Sequence, residues 1–198
     1  MHTHKPIRCG LVGLGRISPK HLEAIAHHSG AIELAAVCDA NEKALSGFTA
    51  HPQAARFTSL PEMLRSAQLD VVSICTPSGL HPDHGITAAE HGCNVIVEKP
   101  LATTWERGMA LYNTCKRKDV HLFAVLQNRY NPPIAALKDA IAQGRFGTVY
   151  MITSNVFWTR PQSYYDQAAW RGTWNLDGGA FMNQASHYID LLDWLIGP

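Results

Sequence analysis

The chain has 198 residues, enough for one large domain or a domain and a half, and 46% of them are hydrophobic, which excludes a disordered chain. Seventeen Lys and Arg against sixteen Asp and Glu leave a formal net charge of +1, so the overall charge implies no nucleic-acid partner. No apolar run approaches the roughly 18 residues of a transmembrane helix, and the polar start Met1-His2-Thr3-His4-Lys5-Pro6 leads straight into a strand-like run, unlike a signal peptide.

The first element is a strand over residues 7–12, rich in β-branched and apolar side chains. It runs into Gly13-Leu14-Gly15-Arg16-Ile17-Ser18 and then a helix over 19–28. Strand, glycine turn and helix in this order build a dinucleotide pyrophosphate site. Gly13 permits the tight turn, Gly15 lets the backbone approach the phosphates, and the amides opening the helix face the anion. Ser18 stands where the third glycine of the fingerprint usually sits. Taken alone, the pattern equally fits an ordinary glycine turn between strand and helix. A second strand over 34–38 ends at Asp39, about 20 residues past the turn, where a carboxylate can hydrogen-bond the adenosine ribose. An acid there repels a 2′-phosphate, which favours NAD over NADP. The alternative reading of Asp39 is a cap on the next helix, over 41–50.

Alternation continues with a short strand over 55–58, a helix over 60–66, a buried strand over 71–75 and a helix over 82–91. A strand over 94–97, a helix over 104–118 and a strand over 122–126 complete it. Such alternation predicts an α/β fold: a doubly wound parallel sheet covered on both faces and joined by right-handed crossovers. Ligands of open sheets sit beyond the carboxyl ends of the strands. The rim segments are therefore Thr76-Pro77-Ser78-Gly79-Leu80-His81, Glu98-Lys99-Pro100 and Gln127-Asn128-Arg129-Tyr130, although rim loops are polar in any fold.

The pattern changes after Asn131. A helix is predicted over 132–143, a long alternating aromatic-rich strand over 148–158, and a helix over 178–196. We read 1–125 as a Rossmann domain and 126–198 as the start of a second, α+β domain. One long strand with an unpaired edge is not a complete architecture, so that second domain is expected to be truncated.

Cys9, Cys38, Cys75, Cys93 and Cys115 are odd in number and widely spaced, and read as reduced, buried thiols of a cytoplasmic protein. The His81-Pro-Asp-His84 spacing lacks the companion ligands of a metal site, so no metal is expected.

Gly13-x-Gly15-Arg16-Ile17-Ser18, Thr76-Pro77, Glu98-Lys99-Pro100 and the His187 segment occur in an order that resembles the glucose-fructose oxidoreductase/inositol dehydrogenase/MocA (Gfo/Idh/MocA) family. The resemblance spans essentially the whole chain, and Glu98-Lys99-Pro100 is its most specific part. It implies a Rossmann domain followed by an open, mostly antiparallel sheet, and oxidation or reduction of a sugar-like carbinol with NAD. Gln127 to Pro132, Arg160 to Gln167 and Trp170-Arg171-Gly172-Thr173-Trp174 resemble one subgroup, the bacterial UDP-N-acetylglucosaminuronate 3-dehydrogenases of surface-polysaccharide biosynthesis. That subgroup makes a 3-keto sugar intermediate, and some members use 2-oxoglutarate to reoxidise NADH that stays bound. Two positions depart from the family pattern: Asn183 stands where many members carry Asp, and Ser78 where Asn is common.

The resemblance implies a cofactor site built from Gly13, Gly15, Arg16, Ile17, Asp39, Thr76, Pro77, Ser78, His81, Glu98, Lys99, Gln127, Trp170 and Arg171. Hydride transfer from a secondary alcohol also needs an acid/base group at the carbinol. Lys99, after a buried strand, suits that role because desolvation and a nearby cation depress its pKa; the alternative is a solvated loop lysine. Asn183 and His187 lie four apart on one helix face, with His187 either a substrate ligand and alternate acid/base or a core histidine. Asp190 either orients His187 or caps a polar face. A UDP-sugar acid needs cations and donors, for which Arg129, Arg160 and Arg171 are candidates with Asn128, Tyr164 and Tyr165; Trp158, Trp170 and Trp174 read as packing. The full-length form is expected to be a homo-oligomer, with no membrane or nucleic-acid partner.

Overall fold

The computed structural model describes residues 5–197; the polar start at residues 1–4 lies outside the described residues. Six parallel strands form one sheet: β1 (Ile7–Val12), β2 (Ile32–Cys38), β3 (Ala55–Phe57), β4 (Val71–Ile74), β5 (Asn94–Val97) and β6 (Leu122–Ala124). Their spatial order is β3-β2-β1-β4-β5-β6. This is the doubly wound nucleotide-binding order, which reverses direction beside β1. Val12 pairs with Cys38 on one side and Ile74 on the other, so the loops after β1, β2 and β4 leave the sheet at one edge of one crevice.

Side chains alternate across the sheet with period two, which splits the core in two. Cys9, Leu11 and Val37 face one side and pack on Ile25 of α1 (Ser18–His27) and Leu45 of α2 (Glu42–Ser46). Val12, Val72, Ile74, Val95 and Val97 face the other. There they meet Met63 of α3 (Leu60–Ser66), Ala88 of α4 (His81–Glu90) and Leu111 of α5 (Trp105–Lys118). Met63, Leu111 and Val97 are fully buried, each stabilising the fold by about 1.5–3 kcal/mol. Asn41 caps α2 through its side chain, accepting from the Lys43 N–H at 3.0 Å. Asp39 is therefore not that helix's cap, and α2 is shorter than the predicted 41–50 because Gly47 ends it.

After β6 the described chain forms helices only: α6 (Pro132–Ala142), α7 (Gln162–Tyr165), α8 (Gly179–Asn183) and α9 (Ser186–Ile196). Two expectations are corrected here. Residues 148–158 are not a strand, and no second sheet forms among the described residues. The alternation is present, but no partner strand supplies the ladder hydrogen bonds that would hold it extended, and Tyr150 and Phe157 are 92% and 94% exposed. The single helix predicted over 178–196 is two. Gly178 and Gly179 take positive φ, and the amides of Gln184 and Ala185 both reach the carbonyl of Ala180, interrupting the ladder before α9.

A tight backbone contact helps to tie this C-terminal region to the loop after β4. The Gly79 N–H donates to the Leu176 carbonyl at 2.9 Å. A Cβ on Gly79 would fall 2.0 Å from the Asn175 oxygen, so only glycine allows the 175–176 backbone to approach this closely. That contact swings Asp177, α8 and α9 over the carboxyl ends of β4 and β5.

Candidate functional site

A cleft of about 1090 Å³ opens at the carboxyl edge of the sheet, at the point where strand order reverses. Its floor is the glycine turn. Gly13 has φ of +92°, and a Cβ there would sit 2.8 Å from the Cys75 backbone. The turn therefore passes over β4 too closely for any side chain. Gly15 is the converse: nothing lies within 4 Å of where its Cβ would be, and that open space belongs to the cleft. Arg16 and Ile17 line the cleft beside it. Ser18, the first residue of α1, is buried with its hydroxyl donating to the Gly15 carbonyl at 2.8 Å, and so fills the third-glycine position without blocking the turn.

Asp39 braces this floor. One carboxylate oxygen accepts from the Leu14 N–H at 2.7 Å, the other from the Asn41 N–H at 2.8 Å. Each oxygen keeps a further lone pair for an incoming hydroxyl. A backbone that only glycine can form, a methyl-free gap above it and a carboxylate beyond β2 together fit a dinucleotide.

Thr76, Pro77 and Ser78 form the next wall. His81 borders the cleft but its ring is committed elsewhere: Nδ1 faces the Pro100 carbonyl at 2.7 Å and Nε2 the Thr76 carbonyl at 2.8 Å. It ties the loop after β4 to the loop after β5, and burial pushes its pKa down. Its place at the cleft wall is the one expected of it, with both ring nitrogens turned to backbone carbonyls.

Glu98 and Lys99 follow β5 into the cleft. The Lys99 ammonium donates to the Asn183 carbonyl at 2.5 Å. Burial lowers its pKa; the Glu98 and Asp177 carboxylates pull the other way, and the Arg160 cation adds to the lowering. His187, on α9, lines the same wall and is buried. Its Nε2 lies 3.4 Å from the Gln127 amide nitrogen, and its Nδ1 is buried without a protein partner. Desolvation lowers its pKa, and the Lys99 charge lowers it further. The result is a lysine and a histidine in one pocket, both biased toward neutral forms that can accept a proton.

The opposite wall is cationic and aromatic. The Arg160 guanidinium stacks on Trp158 at 3.7 Å, and that of Arg171 on Tyr164 at 4.3 Å and Trp170 at 4.9 Å. Each has a buried Nε with no protein acceptor, and both residues line the cleft, so its wall carries two stacked cations that suit an anion. Trp158 and Trp170 line the cleft rather than serving as packing alone, whereas Trp174 is exposed.

Several residues expected here lie elsewhere. Arg129 and Asp190 satisfy each other in a bidentate pair, with Nε to Oδ2 at 2.8 Å. Both are thereby withdrawn from the cleft: Asp190 orients Arg129, not His187. Gln127 and Asn128 lie on a 3-10 turn over 127–130 and do not line the cleft, although the Gln127 side chain reaches the His187 ring. Tyr165 packs edge-on against Tyr164, in contact range of Gly172. Asn183 lines the cleft, with its side-chain amide donating to Asp177.

Asp177 and His21 escaped the sequence reading, and His84 was weighed there only as a metal ligand. Asp177 is buried and also accepts from the Gly172 N–H at 2.7 Å; its place before a glycine pair was the only local signal. His84 lines the cleft and faces the Thr76 hydroxyl at 3.1 Å. His21, on α1, contacts Glu98 from beneath, and nothing in its local pattern marks it.

A family model described as "Oxidoreductase family, NAD-binding Rossmann fold" matches residues 7–126, and the GFO/IDH/MocA C-terminal domain model matches residues 134–198. The WlbA dehydrogenase from Bordetella pertussis, solved with NADH and UDP-GlcNAcA, superposes with a TM-score of 0.95 at 54% identity, over 98% of this chain and 59% of that one. The WlbA structure from Chromobacterium violaceum with the same two ligands gives 0.96 at 50% identity, over 99% and 57%. The rhizopine catabolism protein MocA of Rhizobium meliloti is 31% identical over 96% of this chain and 57% of its own length. The chain thus spans a little over half the length of each of these three proteins.

Proposed function

Because the chain belongs to the Gfo/Idh/MocA oxidoreductase family, with its NAD-binding Rossmann fold, we propose that it is the greater part of an NAD-dependent dehydrogenase acting on the C3 hydroxyl of a nucleotide-linked N-acetyl sugar acid. The observation that carries this reading is the pairing of Lys99 with the Arg160 and Arg171 wall in one cleft. A sugar nucleotide acid brings several negative charges, and the wall of this cleft carries two stacked guanidiniums. The likeness to two proteins solved with NADH and UDP-GlcNAcA supports the same substrate class.

In this reading NAD, when bound, supplies the hydride acceptor. The glycine turn and Asp39 hold the dinucleotide, and Thr76 to Ser78 and Glu98 shape its wall. Lys99 takes the carbinol proton on Nζ, which burial has already disposed to the neutral form. His187 positions the hydroxyl through its unpartnered ring nitrogen. Residues 1–125 form the cofactor domain and 126–198 open the substrate domain. The cellular role is surface-polysaccharide sugar synthesis in the cytoplasm, by a homo-oligomer.

The test is turnover of NAD by the full-length form on UDP-GlcNAcA and a panel of inositols and free sugars. Reduction of NAD with the nucleotide sugar acid alone is expected. The Lys99→Met variant should keep NADH binding and lose on the order of 100-fold or more in kcat. Preference for an inositol would redirect the reading to another polyol dehydrogenase, and undiminished turnover in Lys99→Met would remove Lys99 from the chemistry.

A further inference from the structure

Beneath the cleft, His21 and Ser73, which the reading above does not use, join a chain of polar groups that leads to Glu98 and Lys99. His21 points from α1 into the sheet, and its side chain is only 12% exposed. Its Nδ1 lies 2.8 Å from the hydroxyl of Ser73, a buried residue of β4. Its Nε2 lies 2.9 Å from Oε1 of Glu98, whose side chain is 9% exposed. The other Glu98 oxygen accepts from the backbone N–H of Lys99 at 3.1 Å. A carboxylate can only accept, so His21 Nε2 carries the proton toward it. Nδ1 then accepts from the Ser73 hydroxyl when the ring is neutral and donates to it when the ring is charged. A hydroxyl serves either role, so the chain stays satisfied in both states.

This arrangement does two things to Lys99. It pins the carboxylate that fixes the Lys99 backbone at the mouth of β5. It also draws the Glu98 charge toward the sheet, reducing what the Lys99 ammonium feels. Resting on the proposed role of Lys99 as the proton acceptor, we infer that His21 is a positioning residue: by holding Glu98 from below, it keeps the Lys99 ammonium ready to lose its proton.

His21 from α1 and the Lys99 N–H from its own loop hydrogen-bond the Glu98 carboxylate. Its charge also acts on Cys75 after β4, His81 on α4 and His187 on α9, and Asp177 and Arg160 act on Lys99 from the C-terminal side. Burial pushes the Cys75 thiol up to about 12, so it stays neutral. The Glu98 charge favours the ammonium form of Lys99. Removing the His21 donor leaves that charge to act on Lys99 undivided, and the Lys99 titration should move to higher pH.

The test uses the full-length protein, wild type and as His21→Phe and His21→Gln. Phe keeps a ring in the packed site and removes both nitrogens. Gln places an amide donor where Nε2 stood but carries no charge. Competitive acetylation read by mass spectrometry gives the pH midpoint of Lys99 without any need for turnover. An upward shift in His21→Phe, restored toward wild type in His21→Gln, is expected. The acid limb of the kcat profile should move with it, lowering neutral-pH kcat about tenfold at unchanged NADH affinity. A purely structural His21 would lower Tm and leave the midpoint in place. An unmoved or lowered midpoint overturns the inference. A midpoint that moves in a protein with no turnover on any sugar keeps the coupling and refutes the dehydrogenase reading; turnover with a fixed midpoint does the reverse.

Discussion

Two glycines two residues apart should fail in different ways when a methyl group is added. At Gly13, alanine must adopt a φ of +92° and bring its Cβ to 2.8 Å from the Cys75 backbone carbon and oxygen. The left-handed conformation costs about 1–3 kcal/mol, and the clash with unyielding backbone adds about 1–3 kcal/mol. Taking about 3 kcal/mol as the sum, and about 2–4 °C per kcal/mol for a chain of this size, Gly13→Ala should melt about 6–12 °C lower. Gly15→Ala meets nothing within 4 Å and has no positive φ. It should hold or raise stability, by about 0.4–1 kcal/mol, through the unfolded state. Its methyl, however, fills the gap through which a phosphate would approach the turn, so NADH affinity should fall on the order of tenfold, about 1.4 kcal/mol. Scanning fluorimetry without ligand and an NADH fluorescence titration separate the two effects. The reasoning fails if Gly13→Ala melts within about 2 °C of wild type, or if Gly15→Ala binds NADH as wild type does.

Two further outcomes follow from the same geometry. His81, His84 and His187 all have pKa values lowered by burial from the ordinary 6.5. Just below that value the unfolded chain binds more protons than the folded one, so stability is full above it and drains away as the medium is acidified. Thermal melts between about pH 7.5 and about pH 5 should show Tm falling with acidity before the carboxylates titrate; a flat or rising Tm would contradict the burial assigned to these rings. Arg129→Met leaves a mostly buried Asp190 without its partner. It should cost about 1–2 kcal/mol, less than a fully buried pair because Arg129 is partly exposed. Adding Asp190→Asn should recover part of the loss, and substrate KM should not change. A raised KM at unchanged stability would return Arg129 to the substrate wall.

Most strand and helix positions of the Rossmann half were legible because each rests on a local signal. The β1 apolar run, Gly13 and Gly15, the helix over 60–66 and the strand over 94–97 stand where periodicity and turn chemistry put them. The rim segments Thr76 to Ser78 and Glu98-Lys99 were legible for the same reason, since any parallel strand delivers its next residues to one edge. Beyond β6 the helix over 132–143 stands as predicted, but the signals after it misled. Alternation over 148–158 describes a side-chain pattern, but a strand needs a neighbour, and none is present among the described residues. The 178–196 periodicity continued through Gln184 and Ala185, where both amides turn back to the Ala180 carbonyl and divide the helix in two.

The amino-acid sequence by itself determined the sheet, its glycine turn and the residues each strand presents at its end, because those depend on backbone conformation within a few positions. Only the tertiary structure decided the partnerships. Arg129 and Asp190 are 61 residues apart, His21 and Glu98 77, and Lys99 and Asn183 84. Whether a charged side chain faces a ligand or a partner of its own is set by which distant segments the strand order and the Gly79 contact bring within 3 Å or so, a distance no local pattern encodes.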